Sequence, residues 1–326
     1  MVTDHERRKD PHHFEPLLDR THRALVATRR PSERTQVVSD LMGALSEIRA
    51  TSPPHVWTTL ARHAVDHPVG RAVHEDPLTR RCFERPCGRL GDPAVVEALC
   101  RCSGLEPTTE IGVAVHRAVL ERPLALALRQ RCEWLGVEID DAVDRAAAEG
   151  RRARILAIGS RHLHEARVSS ALRSGAVDDF VAVECDDERA SAVRRLSLPH
   201  VRTLELPPRS LLCGRTWSWR EQLGSFDLVY VPDAYVELEA ACARRLTRRL
   251  FNLLRPGGRL AFFDFLRSVP DAAYMESFMG WPCEGRDLAT LADLSVRIRD
   301  DEVDRRRVFR GPYDTLGYGV VDRRRA

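Results

Sequence analysis

The chain has 326 residues, 43% of them hydrophobic, which is enough to bury the cores of two ordinary domains. Its 51 basic and 48 acidic residues leave a net charge of only +3, so the surface is mixed and no whole-molecule field exists to draw nucleic acid. No stretch approaches 18 uncharged apolar residues, and "MVTDHERRKDPHH" is charged with no apolar run behind it, so no membrane partner and a cytoplasmic location are expected. The nine cysteines lack regular spacing, which fits reduced thiols and neither a disulfide framework nor a zinc site.

In chain order, "FEPLLDRTHRALVATRRP" and "SERTQVVSDLMGALSEIRA" place apolar residues at three- and four-residue spacing, with Ser32 as a candidate cap. "PHVWTTLARHAVDHP", "DPAVVEALCRCSG", "TEIGVAVHRAVLERPLALALRQRCEWLG" and "EIDDAVDRAAAEG" continue the pattern, so residues 1–150 are expected to form an all-helical N-terminal domain. From residue 153 the period changes. "RILAIG", "FVAVEC", "VRTLEL", "FDLVYV" and "GRLAFFDF" are short β-rich runs, with "HEARVSSALRSG", "DERASAVRRL" and "AACARRLTRRLFNLLRPGG" between them as helices. Such alternation predicts an α/β, Rossmann-like, doubly wound and mostly parallel sheet over residues 151–326. "DRRRVFRG" and "GYGVVDR" are expected to add an antiparallel edge, and Gly257 and Gly258 to supply the positive φ of the turn before the fifth strand.

In a doubly wound sheet the ligand lies beyond the carboxyl ends of the strands. Three features meet there. The turn Gly159-Ser160-Arg161-His162 follows the first strand, and Glu184 ends the second, followed by Cys185 and Asp186. A strand-final carboxylate there is suited to both hydroxyls of a ribose. "FDLVYVPDAY", with Pro232 and Asp233, would line the opposite wall.

With "LLRPGGRLAFFDF" added, the chain resembles class I S-adenosyl-L-methionine (SAM)-dependent methyltransferases. "HPVGRAVHEDPLTRRCFERPCGRLGDPAVVEALC" is similar to a segment that one bacterial subgroup, likened to 3-hydroxypalmitate methyl ester synthase, places ahead of the SAM domain. That segment carries a lysine-proline-arginine-glycine-tyrosine-alanine-glycine-aspartate signature. Pro86, Gly88, Gly91 and Asp92 match it, while Arg85, Cys87, Arg89 and Leu90 depart from it. "YMESFMGWPCEGRD" resembles another segment of the subgroup through Met275, Glu276, Trp281 and Arg286. The resemblance implies SAM as cofactor, held by Gly159, Ser160, Arg161, Glu165, Glu184, Cys185, Asp186, Pro232 and Asp233, with the helical domain as lid. It implies a small-molecule substrate near Arg89, Gly91, Tyr274, Trp281 and Arg286. Asp92, which reads equally as the cap before Pro93, joins Tyr235, His162 and Tyr274 as a candidate general base.

Where the subgroup's first turn has a second glycine, this chain has Arg161, which either clamps the methionine carboxylate of SAM or fills the pocket. His162, His164 and Glu165 lack a completing ligand, so no metal is expected. The expected activity is methyl transfer to an oxygen, carboxylate or nitrogen of a small molecule. The alternatives are a catalytically silent relative acting as a binding or regulatory protein, and an enzyme that consumes SAM through its aminobutyrate arm. An NAD enzyme is disfavoured because G-x-G-x-x-G fails in the first turn, and a homodimer is compatible with the sequence.

Overall fold

The computed structural model describes residues 14–86, 93–160, 162–206, 221–232, 235, 238–283 and 285–325. The chain forms two compact units. One comprises the residues up to Leu128 together with Ser268–Cys283; the other comprises Arg129–Arg267 and the chain from 284 onward. The change of period at 153 had suggested a division at 150.

In the helical unit, α1 (Phe14–Ala27) buries Phe14, Leu18, Thr21 and Leu25, one stripe at helical spacing. α2 (Pro31–Thr51) starts with Pro31 in its first turn and Arg30 at the cap, so Ser32 lies inside the helix and does not cap it. The buried Arg34 of α2 donates to the carbonyls of Leu25 and Thr28, groups that the end of α1 leaves without helical partners. α3 (Pro54–Asp66), α4 (Pro68–Val73), α5 (Pro77–Glu84) and α6 (Pro93–Arg101) also open on proline. α7 (Glu110–Leu120) is capped by Thr109, whose hydroxyl accepts from the Gly112 amide at 3.0 Å. Pro123 splits what the sequence presents as one run, and α8 (Pro123–Ala148) then continues unbroken for 26 residues.

In the sheet unit the elements run β1 (Arg154–Ile158), α9 (Ser170–Ser174), β2 (Asp179–Glu184), α10 (Asp187–Arg195), β3 (Val201–Glu205), β4 (Phe226–Val231), α11 (Ala240–Asn252) and β5 (Leu254–Phe265). After α12 (Ala272–Phe278), which belongs to the helical unit, come α13 (Leu288–Asp293), β6 (Val303–Arg310) and β7 (Leu316–Arg323). The strand order is β3-β2-β1-β4-β5-β7-β6; the first five are parallel, and β7 inserts antiparallel between β5 and β6. Leu156, Ile158, Val181, Val183, Val229, Val231 and Phe262 pack in one core with Leu246 and Leu250 of α11. On α8, Trp134 meets Phe263 and Tyr318 edge-on, at 5.5 and 5.6 Å between ring centroids, and Glu138 bonds Arg259 at 2.7 Å. The sheet is therefore doubly wound, and its order reverses between β1 and β4.

Three local expectations change. "HEARVSSALRSG" is not one helix: a 3₁₀ turn over His164–Arg167 ends before α9. Asp140 of α8 fixes the break, accepting from Ser169 Oγ at 2.5 Å, Ser170 N at 3.0 Å, Ser170 Oγ at 2.9 Å and Ala171 N at 3.1 Å. Burial pulls the Asp140 carboxyl upward, but these bonds outweigh it and hold its pKa below the usual value. Gly258, unlike Gly257 (φ 79°), has no positive φ; a Cβ there would lie 3.0 Å from the carbonyl oxygens of Arg255 and Phe226, so its need is space. Residues 268–283 join the helices because Glu276 takes Arg49 Nε and Nη2 at 2.7 and 2.9 Å and Trp57 Nε1 at 2.6 Å. Asp271 adds bonds from Arg122 Nε at 2.7 Å and Leu124 N at 2.8 Å. No helix among the described residues is long and apolar enough to cross a membrane.

Candidate functional site

The carboxyl ends of β1, β2 and β4 converge in the sheet unit where the strand order reverses. Gly159 leaves β1 with φ 73°, and its amide donates to Val183 O of β2 at 2.8 Å. The buried Ser160 donates through Oγ to Glu184 Oε1 at 2.6 Å, and Glu184 is fully buried. Leu163 holds a left-handed conformation with φ 48°, and its amide returns to Ser160 O at 3.0 Å, closing the turn. Glu165, also buried, accepts the hydroxyl of Tyr230 on β4. Burial, reinforced by the Glu165 carboxylate, pushes the Tyr230 pKa well up, so its hydroxyl keeps its proton and remains a donor. His162 and His164 stand with ring centroids 5.5 Å apart. Asp186 caps α10, accepting from Arg189 N at 3.0 Å, and Cys185 Sγ accepts from Arg189 Nη1 at 2.7 Å.

On the opposite wall, the Pro232 carbonyl accepts from Arg131 Nη1 at 3.0 Å, and Arg131 is a buried residue of α8. Tyr235, a candidate base from the sequence, is engaged in the core. It is fully buried, stacks edge-on against Phe262 at 5.6 Å, and its hydroxyl meets Thr247 Oγ1 at 2.7 Å. Thr247 donates its own proton to Ala243 O, so Tyr235 is the donor, and burial pushes its pKa well up. Arg286 does not stand free to anchor an acidic substrate either: it pairs with Asp264 and donates to the carbonyls of Tyr235 at 3.1 Å and Leu238 at 2.6 Å.

Tyr274 is a core residue of the helical unit, with its hydroxyl 3.0 Å from Thr79 Oγ1 and its pKa pushed well up by burial. Trp281 is buried too, and its amide donates to Met275 O at 2.9 Å. Arg89, Gly91, Asp92, Arg161 and Asp233 lie outside the described residues. Tyr230 and Arg131 went unnoticed in the sequence. Tyr230 lies within an apolar strand run, and nothing in the spacing of α8 singles out Arg131 among the arginines.

The donor set around the first turn fits a ribose-bearing ligand. A buried strand-end carboxylate has about four acceptor positions, so the bond from Ser160 is compatible with further bonds from a diol. The positive φ of Gly159 turns the backbone away from β1 at the same point.

Compared with known proteins, the chain matches no family profile and no curated protein. Among solved structures, a possible exported protein from Bordetella parapertussis aligns over 100% of both chains at 15% identity with a TM-score of 0.58. A putative O-methyltransferase from Nostoc punctiforme aligns over 77% of this chain and 72% of its own, at 14% identity and TM-score 0.41. The N-methyltransferase NodS from Bradyrhizobium japonicum WM9, in complex with S-adenosyl-L-homocysteine (SAH), aligns over 62% and 89%, at 14% identity and TM-score 0.40. The full-length likeness is one of fold, and with the strand order it establishes a Rossmann-like, doubly wound sheet preceded by a helical region.

Proposed function

We propose that the protein binds SAM at the carboxyl ends of β1 and β2 and transfers its methyl group to an oxygen, carboxylate or nitrogen of a small molecule. The observation that carries this reading is the buried Ser160–Glu184 contact beside the positive-φ Gly159. Glu184 would hold the ribose hydroxyls, while Tyr230 and Glu165 brace the turn from below. The resemblance to the bacterial methyltransferase subgroup, through Pro86, Gly88, Gly91 and Asp92 and through Met275, Glu276, Trp281 and Arg286, supports the same reading.

SAM supplies an already activated methyl group, so the protein's work is to hold an acceptor about 3 Å from it in a dry cleft. With Tyr235 and Tyr274 buried as donors, a carboxylate acceptor, which needs no base, is favoured over a hydroxyl. For an acceptor that must lose a proton, His162 and Asp92 remain the candidates. The same reading gives a cytoplasmic protein with a small-molecule substrate and no nucleic-acid partner. A second reading, a silent relative, is favoured by Arg161 standing where the subgroup's first turn has a second glycine.

Calorimetric titration of the whole protein with SAM, SAH and NAD decides between them. Roughly micromolar binding of the first two and none of NAD is expected. The Glu184→Ala variant is expected to lose about 1–3 kcal/mol of SAM affinity through the missing hydrogen bonds to ribose. No heat with either SAM or SAH would overturn the enzyme reading in favour of the silent relative.

A further inference from the structure

β1 and β2 run parallel with Ile158 beside Val183, so Gly159 and Ser160 leave the sheet next to Glu184. The backbone anchors both sides of the Ser160–Glu184 contact. Gly159 N donates to Val183 O at 2.8 Å and Ser160 O accepts from Leu163 N at 3.0 Å, which fixes the origin of the serine hydroxyl. On the other side Glu184 O accepts from Leu206 N at 2.9 Å, and Glu184 lies opposite Glu205 of β3. What the backbone leaves undetermined is the rotation of the glutamate side chain, one of those with the most rotamers to lose.

The Ser160 hydroxyl removes that freedom. Its Oγ lies 2.6 Å from Glu184 Oε1, within the range of an O–H···O⁻ bond, and both residues are buried, at 6% and 0% exposure. A hydroxyl donating to a carboxylate makes Glu184 an ionised acceptor, so a ligand that meets it must bring donors. A ribose with both hydroxyls free does so. A ribose phosphorylated at that edge would press a second negative charge against a buried one.

We infer that Ser160 is a positioning residue for ribose recognition: it orients the Glu184 carboxylate and thereby selects a nucleoside whose 2′- and 3′-hydroxyls are both unmodified. This rests on the proposed SAM site and adds the residue that makes its strand-end carboxylate selective. The ordering of Glu184 is then complete before the ligand arrives and is not charged against binding.

The test is a double-mutant cycle read by calorimetry on the whole protein. The probes are SAH and its 2′,3′-dideoxy counterpart, and the variants are Ser160→Ala, Glu184→Ala and the two combined. The parent is expected to bind SAH about tenfold or more tightly than the dideoxy compound. Ser160→Ala should weaken SAH about fivefold and leave the dideoxy compound within about twofold, so that the preference shrinks. In the Glu184→Ala background, removing the Ser160 hydroxyl should change SAH affinity by less than about twofold, because the carboxylate it acts through is gone. Equal weakening of both probes by Ser160→Ala would overturn the inference, since a serine that merely supports the turn does that. An undiminished effect of Ser160→Ala in the Glu184→Ala background would overturn it too, as the mark of direct contact between hydroxyl and ligand. A parent that binds SAH, loses it in Glu184→Ala and is indifferent to Ser160→Ala removes the positioning role alone. A parent that binds no SAH removes the SAM site and the inference together.

Discussion

The two units use buried polar groups differently. In the helical unit they sew a distant piece of chain onto the helices: Glu276 takes Arg49 and Trp57, Asp271 takes Arg122, and Tyr274 meets Thr79. In the sheet unit they gather where the strands end: Ser160 with Glu184, Tyr230 with Glu165, Arg131 with Pro232, Arg286 with Tyr235 and Leu238. In the first case polarity specifies which segment docks where. In the second it fixes the segments that follow the strand ends, over an apolar core that is already closed. A buried polar bond is therefore informative about function only once its place in the fold is known.

The largest expected effect would break the helical side of this comparison. Glu276→Ala strands Arg49 and Trp57 and should cost about 3 kcal/mol, read from the urea midpoint, because removing one member of a poorly exposed ion pair leaves the other uncompensated. SAH binding by the fraction that remains folded should be unaltered. On the sheet side, Tyr230→Phe leaves the buried Glu165 without that donor and should cost about 1–3 kcal/mol of stability, with a parallel loss of SAH affinity because the first turn loses its brace. If Tyr230→Phe destabilises without touching affinity, the strand-end bonds are no more than core polarity.

Asp140→Asn should cost about 1 kcal/mol, on the scale of a lost helix cap. Its pH dependence has a definite sign. The folded pKa of Asp140 lies below the ordinary value, so its contribution is complete above that ordinary value and is lost as pH falls through the folded one. The gap between parent and variant should hold steady from neutral pH down to about 5 and close below about 4. The smallest effect belongs to Arg194→Ala, whose partners Asp187 and Glu205 are exposed; the change should stay within about 0.5 kcal/mol and vanish in high salt.

Much of the sheet is legible in the sequence because its strands are short apolar runs bounded by turns, and the β6–β7 pair announces itself by position after the last helix. The places of Gly159 and Glu184 at adjacent strand ends follow from order and spacing alone. Side-chain direction does not. Tyr235 looks available in "VPDAYVEL", yet its ring enters the core under α11, and no local pattern records that choice. The break at Ser169 is set by Asp140, some thirty residues upstream, and the docking of 268–283 by Arg49 and Trp57, more than two hundred residues away. Contacts at such separations override local propensity without leaving a periodic trace.

Helix α8 bears on how such a chain could be divided or recombined. The visible seam, where helical spacing gives way to strand spacing, lies after its last turn. A fragment beginning at that seam would shed Trp134 from Phe263 and Tyr318, Gln130 from the Tyr318 hydroxyl, Glu138 from Arg259, and Asp140 from the start of α9. Phe263 and Tyr318 would then lose their aromatic cover, leaving apolar surface of the kind that promotes self-association. The sheet unit itself begins at Arg129, in the middle of a helix, so a division or an exchange of modules that keeps these contacts together has to cut there and not at the visible seam.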